Sequence, residues 1–551
     1  VPGGEQARAR IPVGGLAGVL AFAGLVHRFP EKLYHWDEFQ LAYGVLEFDL
    51  ARHQPHPPGY YGFILLGRAL LPLVDDPALA LRCVSAAAVA AFVVLALGPP
   101  RAGLRAPARG LLAAALLAFA LLSPLLVRYG VAALSYATEG ICWLALLLAW
   151  RHRLGGRALR GLAFATGLAG GIRPTLLIWS AALGALALLR RHARLGRREL
   201  TAVLAFGALG VLGWQLPLLL ESGGPAAYRE ASAELVLGNV WAKSLFAQGL
   251  DGLWWERLEP MLAALAGGLG MLLPVALALA VLRALPRRSP ELAALDGLLV
   301  GALLPFAFYA LLIYDTSGYL VAALMPLAAW TFRAAGALLA RRPAPQQLAA
   351  AGGLLLAATA FPLLPTPEQA AHERYDVHDA LLESRFAAVR SAFDPGDTLL
   401  VTSNEYQDYG LRHVAHYLPA FTTLQLAIDP FFAITSDEQP YLVARGRELR
   451  AAGPRRLDLA RLLDPPAALR HVVYMMPFDA PRFVRDSCAP LASPLPTDGG
   501  ESLTLLTLRP GWRVEVRDQR LDCRRVSFET TSAADSARSG RGVRSAECAP
   551  R

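Results

Sequence analysis

Charge is scarce in this chain. Asp, Glu, Lys and Arg make up 18% of its 551 residues, while 55% are hydrophobic and the mean hydropathy is +0.38. That balance excludes an ordinary soluble protein and points to an integral membrane one. Lysine is nearly missing: Lys32 and Lys243 are the only two, and arginine carries the remaining basic charge. The net charge of +9 does not indicate nucleic acid as a partner. The arginines fall in short clusters between apolar runs, as cytoplasmic loops do. The five cysteines lack metal-type spacing. Cys83 and Cys142 sit in apolar runs as small core residues. Cys488 and Cys523 lie in polar sequence, where an oxidising compartment would let them pair, and Cys548 is left over in a tail. Walker, G-x-G-x-x-G and G-x-S-x-G motifs are absent, which removes the common nucleotide and serine-hydrolase signatures.

What the chain has is apolar runs. The segments 11–29, 77–98, 109–127, 135–150, 159–172, 174–189, 200–220, 260–284, 295–313, 318–340 and 347–364 predict about 11 transmembrane helices. Arg8 and Arg10 before the first run, with "AFA" after them, imitate a signal peptide; the many later runs favour an uncleaved first span. The run 59–74 is short and proline-flanked and predicts a helix lying at the interface. Arginine-rich loops at 101–109, 151–160, 190–199, 283–288 and 341–342 fall on one side under this count, together with Arg8 and Arg10. The positive-inside rule then puts the N-terminus in the cytoplasm and the loop 30–76 outside. Everything after residue 365 lies outside with it. There the hydropathy drops, and "DTLLVTS" (397–403), "TTLQLAI" (422–428), "HVVYMM" (471–476), "SLTLLTL" (502–508) and "WRVEVRD" (512–518) read as strands, with a helix at 405–418. The fold class is a polytopic α-helical membrane protein over 1–365 with a C-terminal extracytoplasmic α/β domain over 366–526. Residues 527–551 are Ser-, Ala- and Arg-rich and read as a disordered tail. His413 and His416 read as helix-surface residues, and the domain as one that binds or covers something.

Outward-facing charge is rare enough to be informative. "LYHWDEFQLAYG" (33–44) puts Asp37 and Glu38 among aromatic residues just past the first span. A carboxyl partly buried beside rings has a raised pKa and can serve as a base. "RHQPHPPGYY" (52–61) brings His53, His56 and Tyr60 back toward the membrane. Arg82, Arg128 and Glu139 lie at outer ends of spans. Arg173 sits in the break "GGIRPT", and helix breaks at membrane depth line cavities. Asp315 and Tyr319 flank the turn "YDTSGY".

The order of these pieces resembles the GT-C superfamily of membrane glycosyltransferases, which includes the protein O-mannosyltransferases and the bacterial aminoarabinose transferases that modify lipid A. The similarity covers about residues 10–340. It rests on "WDEFQLAYG", "HPPGYYGFILLGRAL", "SPLLVRYGVAALSYATEGICWLALLL", "GLAFATGLAGGIRPTLLIW" and "SGYLVAALMPLAAW". The resemblance implies an outward-facing transferase at the plasma (inner) membrane. Its donor is a polyprenyl-phosphate-linked sugar, its acceptor a glycan, lipid or protein, and its surroundings membrane lipids. It makes Asp37 the general base and Glu38 its partner. Arg173, Arg128, Arg82 and Tyr319 become contacts to the donor phosphate, and His53, His56, Tyr60, Glu139 and Asp315 substrate contacts. It leaves room for a divalent metal on Glu38 with His53 or His56. The chain departs from members that use a lysine in the outer site, because sequence proximity puts no lysine near Asp315. The rival reading is a transporter or flippase of lipid-linked sugars. Transporters usually carry internal repeats and mid-membrane charge, and neither is seen here.

Overall fold

The structure, a computed structural model, describes residues 13–99, 101–150, 156–190, 196–233, 240–284, 295–361, 367–403, 409–426, 441–452, 456–477 and 480–526. Arg8, Arg10, much of the arginine-rich loops, the start of the 405–418 helix and the 527–551 tail with Cys548 lie outside the described residues.

The first half is a run of apolar helices: α1 (Val13–Val26), α2 (Trp36–Leu46), α3 (Tyr61–Val74), α4 (Pro77–Leu97), α5 (Ala106–Leu122), α6 (Pro124–Val131), α7 (Tyr136–Trp150), α8 (Gly156–Ala169), α9 (Thr175–Arg190) and α10 (Arg197–Glu221). Further apolar helices follow at Glu259–Leu269, Leu272–Ala284, Asp296–Leu311, Val321–Leu339 and Ala344–Thr359. Among the described residues, three helices can cross a bilayer by length and composition: Pro77–Leu97, Arg197–Glu221 and Ser317–Leu339. The number is five if two bent pairs each count as one span, the pairs being Ala106–Leu122 with Pro124–Val131 (65°) and Leu253–Leu269 with Leu272–Arg283 (100°). The first bend falls at Pro124, which has no N–H for the preceding turn. The second falls at Gly270, whose φ is +54°. Other apolar helices, such as Val13–Val26 and Tyr136–Trp150, are shorter than the roughly 20 residues a hydrocarbon core requires.

Burial sorts these helices. The span Ser317–Leu339 is 94% buried over its apolar window and forms the centre, whereas Arg197–Glu221 is 17% buried and turns Leu204, Leu212, Leu216 and Leu220 outward. An all-round apolar helix left this bare suits a lipid environment. The chain is a membrane protein. The segment after α10 also bares large rings: Trp241, Trp254 and Trp255 are exposed, while Trp143, Trp179 and Trp330 are fully buried. α8 and α10 approach so closely that a Cβ on Gly167 or Gly210 would run into the facing helix's backbone, a small-residue contact familiar in membranes.

The C-terminal part is a seven-stranded mixed sheet of β1 (Thr398–Thr402), β2 (Thr422–Gln425), β3 (Tyr441–Arg445), β4 (Glu448–Ala452), β6 (His471–Tyr474), β7 (Ala492–Pro496) and β8 (Ser502–Thr507) in the order β4-β3-β2-β1-β6-β8-β7. β1 is central, pairs in parallel with β2 and β6, and is buried at every position, as a continuous apolar strand should be. A three-stranded sheet β10-β9-β5 uses β5 (Arg456–Asp458), β9 (Trp512–Arg517) and β10 (Arg520–Arg525). Cys488 and Cys523 form a disulfide that ties β10 to the turn at Asp486–Leu491. The long helix Pro367–Ala392 and the short helix Leu411–Tyr417 connect this domain to the helical body.

His413 and His416 depart from the sequence expectation. Both lie in Leu411–Tyr417, yet His413 is fully buried and its Nε2 meets the Tyr34 carbonyl at 3.1 Å. His416 Nδ1 meets the Tyr43 hydroxyl at 3.0 Å. Amphipathic spacing shows that a helix has a solvent side; it does not show that another domain covers it.

Candidate active site

The loop 33–44 folds as its polar residues dictate. His35 is the N-cap of α2: its Nδ1 accepts the Asp37 N–H (3.1 Å), and Glu38 reaches back to accept the His35 and Tyr34 N–H groups (3.0 and 3.2 Å). This capping box satisfies the orphan amides of the first turn. The second Glu38 oxygen accepts the Ala133 N–H at 2.8 Å, and Arg82 approaches at 4.0 Å. Glu38 is 2% exposed. It is a structural carboxylate with both oxygens occupied, not the substrate-facing or metal-binding partner expected from its place beside Asp37. Arg82 is likewise reassigned from donor contact to loop anchor, because its terminal nitrogens donate to the carbonyls of Pro30 (2.7 Å) and Lys32 (2.8 Å).

Asp37 is different. Its carboxylate takes no hydrogen bond from α2 and lies between two imidazoles, His56 Nδ1 at 3.4 Å and His35 Nδ1 at 3.6 Å. Burial raises its pKa, while His35, Arg173 and Arg412 draw it back. The His56 tautomer follows from its partners. Nδ1 lies 2.7 Å from Gln40 Oε1, an acceptor, so Nδ1 carries the proton; Nε2 then accepts from the Tyr60 hydroxyl at 3.2 Å. Burial pushes His56 down to about 3, with Arg173 and Arg412 adding to the effect, and lifts Tyr60 to about 12. His53 is also pushed down to about 3 by burial, then by Arg412 and His56.

Arg173 is the centre of a second cluster. It sits in the break between α8 and α9, which docks on α3 through the Gly62 N–H to Gly171 carbonyl bond (2.7 Å). A Cβ on Gly62 would stand 2.8 Å from the Gly171 carbonyl carbon, so this approach needs glycine. The Arg173 guanidinium lies over the rings of Tyr136 (4.5 Å), Tyr60 (5.3 Å) and Tyr319 (5.4 Å). Glu139 flanks its Nε at 3.5 Å and is itself held by the hydroxyls of Thr175 and Tyr309. Tyr309 stacks on Tyr319 with centroids 4.3 Å apart. Arg173 is 6% exposed and donates no hydrogen bond among the described residues. A buried cation with ring faces around it and one flanking carboxylate retains donor capacity for an oxyanion.

Arg128, at the end of α6, lies 5.5 Å from the Tyr129 ring and faces the Tyr375 hydroxyl of the long helix Pro367–Ala392. Asp315 has an ionic partner of its own. It pairs with Lys243 at 3.1 Å, which corrects the expectation that no lysine lies near it: the partners are 72 residues apart in sequence. No group of three or more His, Cys, Asp and Glu suited to a metal ion occurs among the described residues, and Glu38 is not free to join His53 or His56 in one.

No protein-family model matches this sequence, and no curated protein matches it. Solved structures do. ArnT from Cupriavidus metallidurans bound to undecaprenyl phosphate superposes with a TM-score of 0.56 at 14% identity, covering 90% of this chain and 97% of that one. The apo state of the same protein gives 0.54 at 13% over the same shares. The chain has the ArnT fold. With 90% of the chain covered, the likeness runs past the 10–340 stretch that carries the loop motifs and into the C-terminal domain. Within this ArnT fold several residues of the site carried no sequence signal. His35 looks like any loop histidine until its capping bond is seen. Tyr309 lies in an uninterrupted apolar run. Arg412 reaches the Asp37 region from the other domain. Thr175 did lie inside the "GGIRPT" motif, and Tyr136 precedes Glu139 by one helical turn.

Proposed function

We propose that this chain is an integral membrane glycosyltransferase that moves a sugar from a polyprenyl-phosphate donor to an acceptor hydroxyl or phosphate on the extracytoplasmic face, with Asp37 as general base. Residues 1–365 form the catalytic membrane module and 366–526 the outer domain, at the plasma (inner) membrane with the N-terminus inside. The observation that carries this reading is Arg173: a buried guanidinium with unused donors, linked through Tyr60 and His56 to a carboxylate not consumed by structure, within the fold of a protein solved with undecaprenyl phosphate. An acceptor hydroxyl attacks the anomeric carbon from the face opposite the phosphate. Its proton passes to Asp37 as the new C–O bond forms. The bond to the donor phosphate breaks, and the polyprenyl phosphate leaves with the electron pair, so the anomeric configuration inverts. Arg173 and Arg128 meet the developing phosphate charge, and the Tyr319 ring keeps the Arg173 guanidinium in place. Charge-assisted bonds of this kind contribute about 1.5–3 kcal/mol each, more where water is excluded.

The test uses purified protein in nanodiscs with a polyprenyl-phosphate pentose or hexose and envelope fractions as acceptor. Wild type should release polyprenyl phosphate and form a glycosylated product seen by mass spectrometry. Asp37→Asn should not. Equal transfer by the two proteins overturns the base assignment. The same protein in sealed vesicles tests the rival: movement of intact donor across the bilayer without cleavage overturns the transferase reading.

A further inference from the structure

The C-terminal domain touches the helical body at the turn that carries Asp37. Tyr417 Oη accepts the Leu33 N–H at 2.7 Å, and His413 Nε2 donates to the Tyr34 carbonyl at 3.1 Å. Asp379, on the long helix Pro367–Ala392, accepts the N–H groups of Glu31 (3.0 Å) and Lys32 (3.2 Å). Four consecutive residues, 31 to 34, therefore have a main-chain group held by the other domain, and the N-cap His35 follows directly. Phe39, one turn further on, is fully buried with its ring 4.5 Å from His413 and 5.1 Å from His416.

These contacts differ from ordinary domain packing in what they grip. Beside the Phe39 packing and the Lys32–Glu383 ion pair (2.7 Å), four of them hold backbone, so they fix where the turn lies. They also grip the one segment whose placement the Asp37 carboxylate inherits: its nearest partners, two imidazole nitrogens, are 3.4 and 3.6 Å away, and hydrogen bonds of ordinary strength are shorter. A base that must meet an acceptor proton within a few tenths of an ångström depends on that backbone. On the donor side Arg128 also faces the long helix, at Tyr375, but no donor-side residue is held by Leu411–Tyr417 in these contacts. Arg173 is held by α3, α7 and α9 through Gly62, Glu139 and Thr175.

We infer that the helix Leu411–Tyr417 is a positioning element for Asp37, so that it sets the geometry of the chemical step while Arg173, held within the helical body, binds the donor phosphate independently of it. This rests on the reading of Asp37 as the base. The domain then has a place in the reaction without contributing a group that touches the reacting atoms, and any acceptor or partner that shifts it would act on rate rather than on donor affinity.

The experiment compares full-length wild type, Tyr417→Phe and His413→Leu in nanodiscs. Three readouts are followed: amide hydrogen exchange over residues 31–39, affinity for undecaprenyl phosphate, and kcat against pH in the transfer assay. The expected result is exchange about three- to tenfold faster at 31–39 and kcat about three- to tenfold lower, as the loss of one hydrogen bond gives. Undecaprenyl phosphate affinity stays within about twofold, and the acid limb of the kcat profile moves to lower pH as water reaches the loosened carboxylate. A general loss of fold would lower activity without moving that limb. Unchanged exchange in both variants overturns the inference, and so does faster exchange with wild-type kcat and pH profile. A fall in undecaprenyl phosphate affinity parallel to kcat also overturns it. Failure of the base reading shows separately, as an active Asp37→Asn, and leaves the exchange result readable on its own.

Discussion

To act as the proposed base, Asp37 must be ionised, and burial works against ionisation. The direction of its pKa, up from the usual carboxylate value, sets the sign of the pH dependence. As pH falls through the raised pKa the carboxylate protonates and kcat drops, so the acid limb of the rate profile sits above the ordinary aspartate range. Asp37→Asn should lower kcat by roughly 10²–10⁴-fold while undecaprenyl phosphate still binds; calorimetry beside single-turnover assays separates the two effects. Arg173→Lys keeps the charge but loses the planar fork that fits between three tyrosine rings. It should weaken undecaprenyl phosphate binding by roughly tenfold or more. At this scale the sequence was legible where a residue stood at a helix end or a break, as Asp37, Arg173, Tyr60 and Tyr319 do. It was not legible where the partner came from far along the chain. Glu38 beside Asp37 looked like a second catalytic acid until the Ala133 amide, 95 residues away, was seen to take it.

Elements meet here through backbones brought unusually close. α3 and the break before α9 share the Gly62–Gly171 hydrogen bond, and Gly62→Ala would push a methyl group into the Gly171 carbonyl. The result should be a loss of about 1–3 kcal/mol of stability, read as a lower melting temperature, with weakened undecaprenyl phosphate binding as the Arg173 turn shifts. The histidines around α2 give a second expectation. His413 is held near 3 by burial, despite the Tyr34 carbonyl favouring its proton and with His378, His35 and His416 adding to the lowering; His416 is held near 4 by burial, between Asp76 and Arg447. In the unfolded chain each takes a proton near pH 6.5. The folded form therefore keeps its full stability above about pH 6.5 and loses it progressively as pH falls toward those lowered values. A melting-temperature series from pH 7.5 to 4.5 should show this decline, flattened in His413→Leu. The strands legible in sequence were the apolar ones, β1, β2, β6 and β8, with β9. The hairpin β3–β4 was hidden because Arg445, Arg447 and Glu448 crowd its turn at Gly446, whose φ is +55°.

For the whole molecule, composition alone announced a membrane protein, and the order of loop motifs announced the architecture. Span counting was less secure. Sequence hydropathy gives eleven runs, whereas helix length among the described residues gives three crossings, or five with the bent pairs. Hydropathy counts apolar residues without knowing where a proline or glycine breaks the helix. The Cys488–Cys523 disulfide belongs to this scale too, since it bears on the stability of a whole domain. Closing a loop across 35 residues should contribute about 3–4 kcal/mol to the C-terminal domain. Reduction with dithiothreitol should therefore melt that domain at lower temperature while the helical body keeps its own transition, resolved by calorimetry. The tryptophans supply a built-in optical label. Trp143, Trp179 and Trp330 are sealed in the helical core, whereas Trp241, Trp254 and Trp255 face outward within one short segment. Emission from the two sets should separate into blue and red components. In bilayers whose lipids carry bromine at defined chain depths, quenching of the red component alone would measure how deep that segment rides.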